Sequence, residues 1–149
     1  MRVVVQRVSE AWVKVDGATV GSIGTGLLVL AGIGAGDTRE QADYLARKIA
    51  ALRVFPNSEQ KMDLDVRQVG GAVRVVSQFT LWGDVSKGNR PSFDRAAAPE
   101  FARELYEYFV ESVRTAGISV ETGVFQASME VGLVNQGPVT ILLDTERNF

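Results

Sequence analysis

The chain contains no cysteine and no histidine among its 149 residues. Without cysteine it has no disulfide framework, and without both residue types the usual structural zinc sites cannot be built. The missing histidine also excludes the Ser-His-Asp and Cys-His arrangements that activate a nucleophile. Any hydrolysis must therefore take its base from a carboxylate, a lysine, the backbone with a positioned water, or the substrate itself.

Long apolar runs and a strong excess of one charge are absent as well. The longest apolar run, residues 27–31, is far shorter than the ~20 residues that span a membrane, and polar residues interrupt the amino terminus where a signal peptide would lie. We therefore expect a cytoplasmic protein with no membrane partner. The formal net charge of -2 gives no basic footprint, so a nucleic-acid ligand would need a local patch such as Lys87, Arg90 and Arg95.

Length and composition predict a single globular domain over residues 1–149. Separate cores appear only in longer chains, and a hydrophobic content of 46% is enough to bury one core. Alternating apolar residues predict antiparallel strands over residues 1–23, with a hairpin turn at Asp16-Gly17. The apolar run over residues 27–33 predicts a central strand buried on both faces.

Two helices interrupt these strands. Thr38 and Gln41 have the spacing of a capping box and precede an apolar pattern of helical period. Pro99 suits the first turn of a second helix, and Gly117 suits its end. The sequence therefore predicts an α+β domain in which mostly antiparallel sheets fold around one core with two main helices.

A strand pattern starts at Ala72 and continues to Leu81. In a strand, Gln78 and Thr80 would share one face, where an amide and a hydroxyl could hold an ester carbonyl and stabilise an oxyanion. Thr80 could equally be a β-branched strand former and Gln78 a solvated neighbour. A threonine nucleophile would also need an activating base, which no histidine supplies here.

The pair Gly137-Pro138 interrupts another strand pattern, over residues 131–142. Proline inside a sheet is confined to edges, bulges and strand starts, so the chain changes direction or pairing here. The simplest interpretation is an ordinary turn, in which glycine supplies a positive φ and proline a fixed one.

Four further segments stand out in the chain, SQFTL at residues 77–81, KGNRPSF at 87–93, FQASM at 125–129 and NQGPVT at 135–140. Their order and separations resemble the D-aminoacyl-tRNA deacylase family, and the similarity extends over the whole chain from MRVVVQRVSE at its start. The resemblance implies a homodimer with each active site at the subunit interface. It also implies hydrolysis of the ester bond of D-aminoacyl-tRNA and rejection of L-aminoacyl-tRNA.

The resemblance assigns roles to individual residues. It implies that Gly137 and Pro138 form a cis dipeptide reaching across from the partner subunit, whose carbonyl oxygens would collide with an L side chain but admit a D side chain. Glycyl-tRNA, having no side chain, is then not fully excluded. The residues implied for catalysis are Ser77, Gln78 and Thr80, and those implied for substrate binding are Phe79, Phe125, Met129, Asn135, Gly137 and Pro138.

The same resemblance implies that the terminal 2'-hydroxyl of the tRNA and main-chain groups assist the reaction, with no metal and no cofactor. This agrees with the missing histidine. Two positions depart from the common family pattern, because Gln136 and Ser128 each stand where aspartate is usual. Both departures remove negative charge near the expected site.

Other functions give different expectations for the same sequence. Residues 32–37 resemble a phosphate-binding loop, but the third glycine of that motif would fall at Asp37, whose carboxylate would repel phosphate. Carboxylates at Glu59, Asp63 and Asp65 could bind Mg²⁺, although acids in a polar loop are more often solvated. The remaining alternative is a nucleotide- or RNA-binding protein without hydrolase activity.

Overall fold

The first two strands form the predicted hairpin. In the computed structural model, which describes residues 1–148, β1 (Arg2–Val15) and β2 (Ala18–Ile23) pair antiparallel. The turn between them has φ of 50° at Asp16 and 78° at Gly17. Two successive positive φ values define the turn type whose twist suits a two-residue hairpin, so the predicted turn is confirmed.

Strand β1 is hydrogen-bonded along both edges. Its first half pairs antiparallel with β3 (Gly26–Gly32), and β8 (Glu130–Asp144) runs antiparallel along the opposite edge for nearly its whole length. Val3, for example, has partners in both neighbouring strands. This arrangement places the start of β1 in the middle of the sheet, and β3 is almost wholly buried, as predicted.

The remaining strands of the sheet are parallel. Strand β6 (Ala72–Ser77) pairs parallel with β3, and β7 (Ser119–Thr122) pairs parallel with β6. Parallel neighbours need a crossover, and α1 (Arg39–Ala50) and α2 (Pro99–Thr115) supply one each. The α+β prediction with two helices and mostly antiparallel pairing is confirmed, with a parallel segment that was not foreseen.

Both helix starts follow the predicted signals. The Oε1 atom of Gln41 accepts hydrogen bonds from the Thr38 backbone N–H at 2.5 Å and from the Thr38 hydroxyl at 2.7 Å. Pro99 is the first residue of α2, and Gly117 lies just beyond its end with a φ of 85°. Between α1 and β6, the short strands β4 (Phe55–Pro56) and β5 (Met62–Leu64) form a small antiparallel hairpin.

Apolar side chains pack on both faces of the sheet. The main core lies between the sheet and the two helices and includes Val3, Val5, Val29, Val75, Leu45, Ile49, Leu105 and Phe109. A smaller cluster consists of Val8, Ala11, Val13, Ile23, Leu28 and Val76. The pairing of β1 with β8 shifts register between Gln6 and Glu10, and this irregularity separates the β1 residues of one cluster from those of the other.

The prediction that the strand beginning at Ala72 continues to Leu81 is wrong. Strand β6 ends at Ser77, and Phe79–Trp82 forms a 3₁₀ turn. The turn folds back over Gly32, where an added Cβ would lie 2.8 Å from the backbone oxygen of Gln78. Burial of the Trp82 ring, which is 3% exposed, draws the chain out of the strand direction. Gln78 and Thr80 therefore do not share a strand face.

No helix among residues 1–148 is both long enough and apolar enough to cross a membrane.

Helix α2 offers a matched pair for testing the core. Phe109 is fully buried whereas Phe101, on the same helix, is 40% exposed. We expect Phe109→Ala to lower the free energy of unfolding by about 3–5 kcal/mol, because it removes apolar contacts and leaves a cavity. Phe101→Ala should cost less than about 1 kcal/mol. Urea denaturation at fixed protein concentration measures both, and equal losses would contradict this assignment of the core.

Candidate active site

The candidate site is a cavity of about 640 Å³ beside the 3₁₀ turn. Its walls come from the end of β6, the segment that leads into α2, and the loop between β7 and β8. Ser77, Gln78 and Gln126 contribute polar groups, and most of the other lining side chains are apolar. We call this space the site cavity. An apolar pocket with a few polar groups is the usual form of a small-ligand site.

The fold brings together five of the residues expected in the site. The site cavity is lined by one group at residues 77–79, which is Ser77, Gln78 and Phe79, and by a second group, which is Phe125 and Met129. The two groups lie more than forty residues apart in the chain. This convergence depends on β6 and β7 being parallel neighbours, since the loop that follows β7 then returns beside the end of β6. The sequence identified these residues without revealing the pairing that joins them.

Thr80 is placed differently from its neighbours. It is exposed and is not part of the cavity lining, and its hydroxyl oxygen accepts a hydrogen bond from the side-chain amide of Gln78. The amide is therefore oriented by Thr80 at the edge of the cavity. This geometry suits a residue that positions Gln78 as well as one that contacts a ligand directly.

Aromatic rings form two contacts at the cavity. Phe79 is 55% exposed and meets Phe93 edge to face, with ring centroids 5.0 Å apart. Phe125 lies 5.7 Å from the Tyr106 ring and is covered by the guanidinium of Arg103 at 5.0 Å. Phe79 and Phe125 were expected in the site from the sequence, whereas Phe93, Tyr106 and Arg103 were not. Of these three, only Phe93 lies in a segment that the sequence had singled out, KGNRPSF at residues 87–93.

No side chain that lines the site cavity is ionisable near neutral pH. The nearest buried phenol described is that of Tyr106, behind Phe125, and its hydroxyl donates to the backbone oxygen of Val75 at 3.1 Å. Burial raises the pKa of Tyr106 to about 12. Tyr106 is therefore neutral under physiological conditions, and the lining offers no carboxylate, amine or phenolate to act as a general base.

The Gly137-Pro138 segment bulges from strand β8, and its peptide bond is cis. Gln6 pairs with Thr140 while Val8 pairs with Asn135, so residues 136–139 stand opposite Arg7 alone. Gly137 and Pro138 are exposed, and neither lines the site cavity of its own chain. Asn135 also lies outside that lining.

Arg7 holds the base of this bulge. Its Nε donates to the backbone oxygen of Gln136 at 2.8 Å, and its Nη1 donates to the backbone oxygen of Val54 at 2.5 Å. The residue is only 9% exposed. Arg7 was not predicted as a site residue, although it continues the inward-facing series of Val3 and Val5 on β1. A charged residue at such a position needs buried acceptors, and that requirement was the available signal.

Asn135 closes the bulge from the other side. Its Oδ1 accepts from the Val139 backbone N–H at 2.8 Å, and its Nδ2 donates to the Val139 oxygen and the Thr140 hydroxyl at 3.2 Å each. The amide therefore bonds within its own segment. Gln136 takes part through its main-chain oxygen, so its bond to Arg7 does not depend on the side chain at this position.

The loop considered for phosphate binding is occupied by its own carboxylate. Asp37 Oδ2 accepts from the Gly34 backbone N–H at 2.6 Å, and Asp37 Oδ1 pairs with the ammonium group of Met1. A phosphate would have to compete with a buried carboxylate for the same donors. The nucleotide-binding hypothesis therefore gains no support from this loop.

The carboxylates considered for a metal each face a different basic side chain. The pairs are Arg53 with Asp63, Lys61 with Glu59, and Arg67 with Asp65. Across residues 1–148 no group of three or more acidic residues is close enough to hold a metal ion.

Comparison with known proteins gives consistent results. The family model described as D-Tyr-tRNA(Tyr) deacylase matches residues 4–144. The D-aminoacyl-tRNA deacylase of Koribacter versatilis is 62% identical over 149 residues, which span the whole of both chains. The protein of the same name from Symbiobacterium thermophilum is 58% identical, covering the whole of this chain and 99% of its own.

Solved structures share the fold. One titled "c-Myc DNA Unwinding Element Binding Protein" superposes with a TM-score of 0.91 at 40% identity and covers 97% of this chain and 99% of its own. One titled "Structural Analysis of a probable eukaryotic D-amino acid tRNA deacylase" superposes with a TM-score of 0.84 at 18% identity, covering 95% and 97%. The family model and the curated relatives together show that the chain belongs to the D-Tyr-tRNA(Tyr) deacylase family.

Proposed function

We propose that this protein hydrolyses the ester bond of D-aminoacyl-tRNA and leaves L-aminoacyl-tRNA intact. Water adds to the carbonyl carbon of the aminoacyl group, the bond from that carbon to the ribose oxygen breaks, and the ribose oxygen takes up a proton. The observation that supports this reaction most is the site cavity, where the expected residues Ser77, Gln78 and Phe79 converge with no ionisable group among the lining residues.

The cavity is suited to the terminal adenosine and its ester. The exposed ring of Phe79, fixed edge to face against Phe93, offers a flat surface on which an unpaired base can stack. The Gln78 amide and the Ser77 hydroxyl can donate to an ester carbonyl and to the oxyanion that forms from it. Phe125 and Met129 close the opposite wall.

The absence of a base in the lining gives the substrate a chemical role. The terminal ribose carries a 2'-hydroxyl next to the ester, and this group can assist the attack while main-chain N–H groups stabilise the developing charge. Thr80, which accepts a hydrogen bond from Gln78, then orients that amide instead of attacking the ester. The proposal requires no cofactor and no metal.

The Gly137-Pro138 segment of a second copy of the chain selects D-aminoacyl over L-aminoacyl substrates. Within one chain this segment lies outside the cavity lining, so it meets the substrate only if two copies assemble with their sites at the interface. Arg7 and Asn135 fix its main chain by hydrogen bonds. Rigid backbone atoms can reject an L side chain by collision, and glycine, with no side chain, escapes that rejection.

The stereochemical prediction is tested with Gly137→Ala. Wild-type protein should hydrolyse D-Tyr-tRNA(Tyr) at least ~100-fold faster than L-Tyr-tRNA(Tyr), measured as loss of labelled ester in single turnover. An added Cβ at Gly137, whose φ is 133°, would lie 2.8 Å from Arg7 Nη2 and 2.9 Å from Val139 Cγ2. The displaced segment should lower the D/L ratio of the variant about 10-fold or more.

Gly70→Ala is the matched control. Gly70 also has a positive φ, of 66°, but an added Cβ there would meet nothing within 4 Å. Its D/L ratio should equal that of the wild type. No hydrolysis of the D substrate by wild-type protein would favour an RNA-binding protein without hydrolase activity, and an unaltered ratio in Gly137→Ala would remove that segment from chiral selection.

The catalytic prediction compares a substrate change with a protein change. D-Tyr-tRNA(Tyr) that carries a 2'-deoxy terminal adenosine, charged on its 3'-hydroxyl, should be hydrolysed ~100-fold more slowly than the normal substrate. Thr80→Ala should keep at least ~10% of the wild-type single-turnover rate, since it loses only the partner of Gln78. Normal turnover of the deoxy substrate together with an inactive Thr80→Ala would instead identify a threonine nucleophile.

A further inference from the structure

A second cleft lies at the other end of the 3₁₀ turn. It has a volume of about 490 Å³, and Arg2, Trp82 and Arg95 form one of its sides. The Trp82 ring contacts both guanidinium groups, with that of Arg2 4.1 Å and that of Arg95 5.1 Å from the ring centroid. We call this space the arginine cleft. The Arg95 side chain is 54% exposed, so it presents its charge to solvent above the buried indole.

The arginine cleft adjoins the site cavity. Phe79 and Trp82 are the first and last residues of one turn, and the former lines the site cavity while the latter lines the cleft. A hairpin of residues 84–92, closed by backbone hydrogen bonds of 2.8 and 2.9 Å between Asp84 and Ser92, borders the cleft. The next residue, Phe93, lines the site cavity. A ligand that extends out of the cavity past this turn meets the hairpin and the cleft.

Two basic side chains of the hairpin take part in no salt bridge among residues 1–148. Lys87 and Arg90 are exposed, and neither side chain makes a hydrogen bond or salt bridge with residues 1–148. Two carboxylates offset part of this charge. Asp84 accepts from the Ser86 backbone N–H at 2.8 Å, and hydrogen bonds from Ser86, followed by the charges of Lys87 and Arg95, lower its pKa. Asp94 accepts from the Ser92 hydroxyl at 2.7 Å.

Arg95 adds a charge that an incoming anion can share. It forms a salt bridge with Glu146, whose side chain is 46% exposed. Exposed salt bridges of this kind contribute little to stability. A phosphate can therefore displace Glu146 from the Arg95 guanidinium, or bind the guanidinium beside it, at a small cost in free energy. Arg2, in contrast, forms a salt bridge with Asp144 and donates a hydrogen bond to the backbone oxygen of Leu81. The second bond anchors the turn.

We propose that the hairpin of residues 84–92 and the arginine cleft bind the RNA strand that leads to the terminal nucleotide of the substrate. This inference rests on the proposed function. Each nucleotide before the terminal one carries a phosphate, and Lys87, Arg90 and Arg95 are the cations that such a strand meets on leaving the site cavity. Arginine also offers a planar face on which an unpaired base stacks. The surface thus gives a mildly acidic protein local affinity for a polyanion.

The test compares a long substrate with a short one. The variants are Lys87→Gln/Arg90→Gln and Arg95→Gln, and the control is Arg114→Gln, another exposed arginine in a surface salt bridge, with Glu111 on α2. For each protein, kcat/KM is measured on D-Tyr-tRNA(Tyr) and on adenosine that carries a 3'-O-D-tyrosyl ester. The ratio of the two values should fall at least ~5-fold in both hairpin and cleft variants but not in the control.

Salt dependence gives an independent readout on the tRNA substrate alone. The slope of log kcat/KM against log salt concentration should become shallower by about 0.7 for each phosphate contact removed, the value for single strands. Unchanged ratios and slopes in the variants, or equal losses on both substrates, would overturn the inference while the proposed function stands. A wild-type protein that hydrolyses neither substrate would remove the proposed function and this inference with it.

Discussion

Strand β1 is hydrogen-bonded along both edges, and two of its side chains determine where the parts of the site lie. At its start, Arg2 reaches the backbone oxygen of Leu81 and so holds the 3₁₀ turn that carries Phe79. Farther along, Arg7 interrupts the pairing with β8 and binds the oxygen of Gln136. A single strand thus supports both the wall of the site cavity and the segment that we propose to act in the partner subunit.

The chemistry follows from what the cavity lacks. Apolar side chains and a few neutral polar groups line it, and the buried phenol behind Phe125 stays protonated because its pKa is about 12. Such a site can bind an ester, orient a water or hydroxyl and stabilise an oxyanion, but it cannot remove a proton with a side chain. The substrate hydroxyl next to the ester, which we propose to assist the reaction, would compensate for this. The proposed selection by main-chain atoms would likewise make few demands on side-chain identity.

Short sequence patterns predicted much of the fold, but they did not predict which strands pair when those strands are far apart in the chain. The turn at Asp16-Gly17, the capping box at Thr38 and the two helices follow from short patterns and are confirmed. The parallel pairing of β3, β6 and β7 was missed, although the strand-helix-strand order permits it. The strand expected to reach Leu81 ends early because burial of Trp82, a tertiary effect, outweighs the local β pattern.

The site shows the same division. Resemblance assigned roles to five of the fourteen residues that line the cavity. The contacts of Arg7 with the Gln136 backbone and of Phe93 with Phe79 emerged only from the fold. The central claim is that each site combines one chain's cavity with another chain's Gly137-Pro138 segment. Gly137→Ala protein refolded with a tenfold excess of Ala97→Trp protein, whose cavity is filled, tests it most directly. The D/L ratio of the mixture should return to the wild-type value, because active cavities then face intact segments. A ratio that stays at the Gly137→Ala value would contradict the claim.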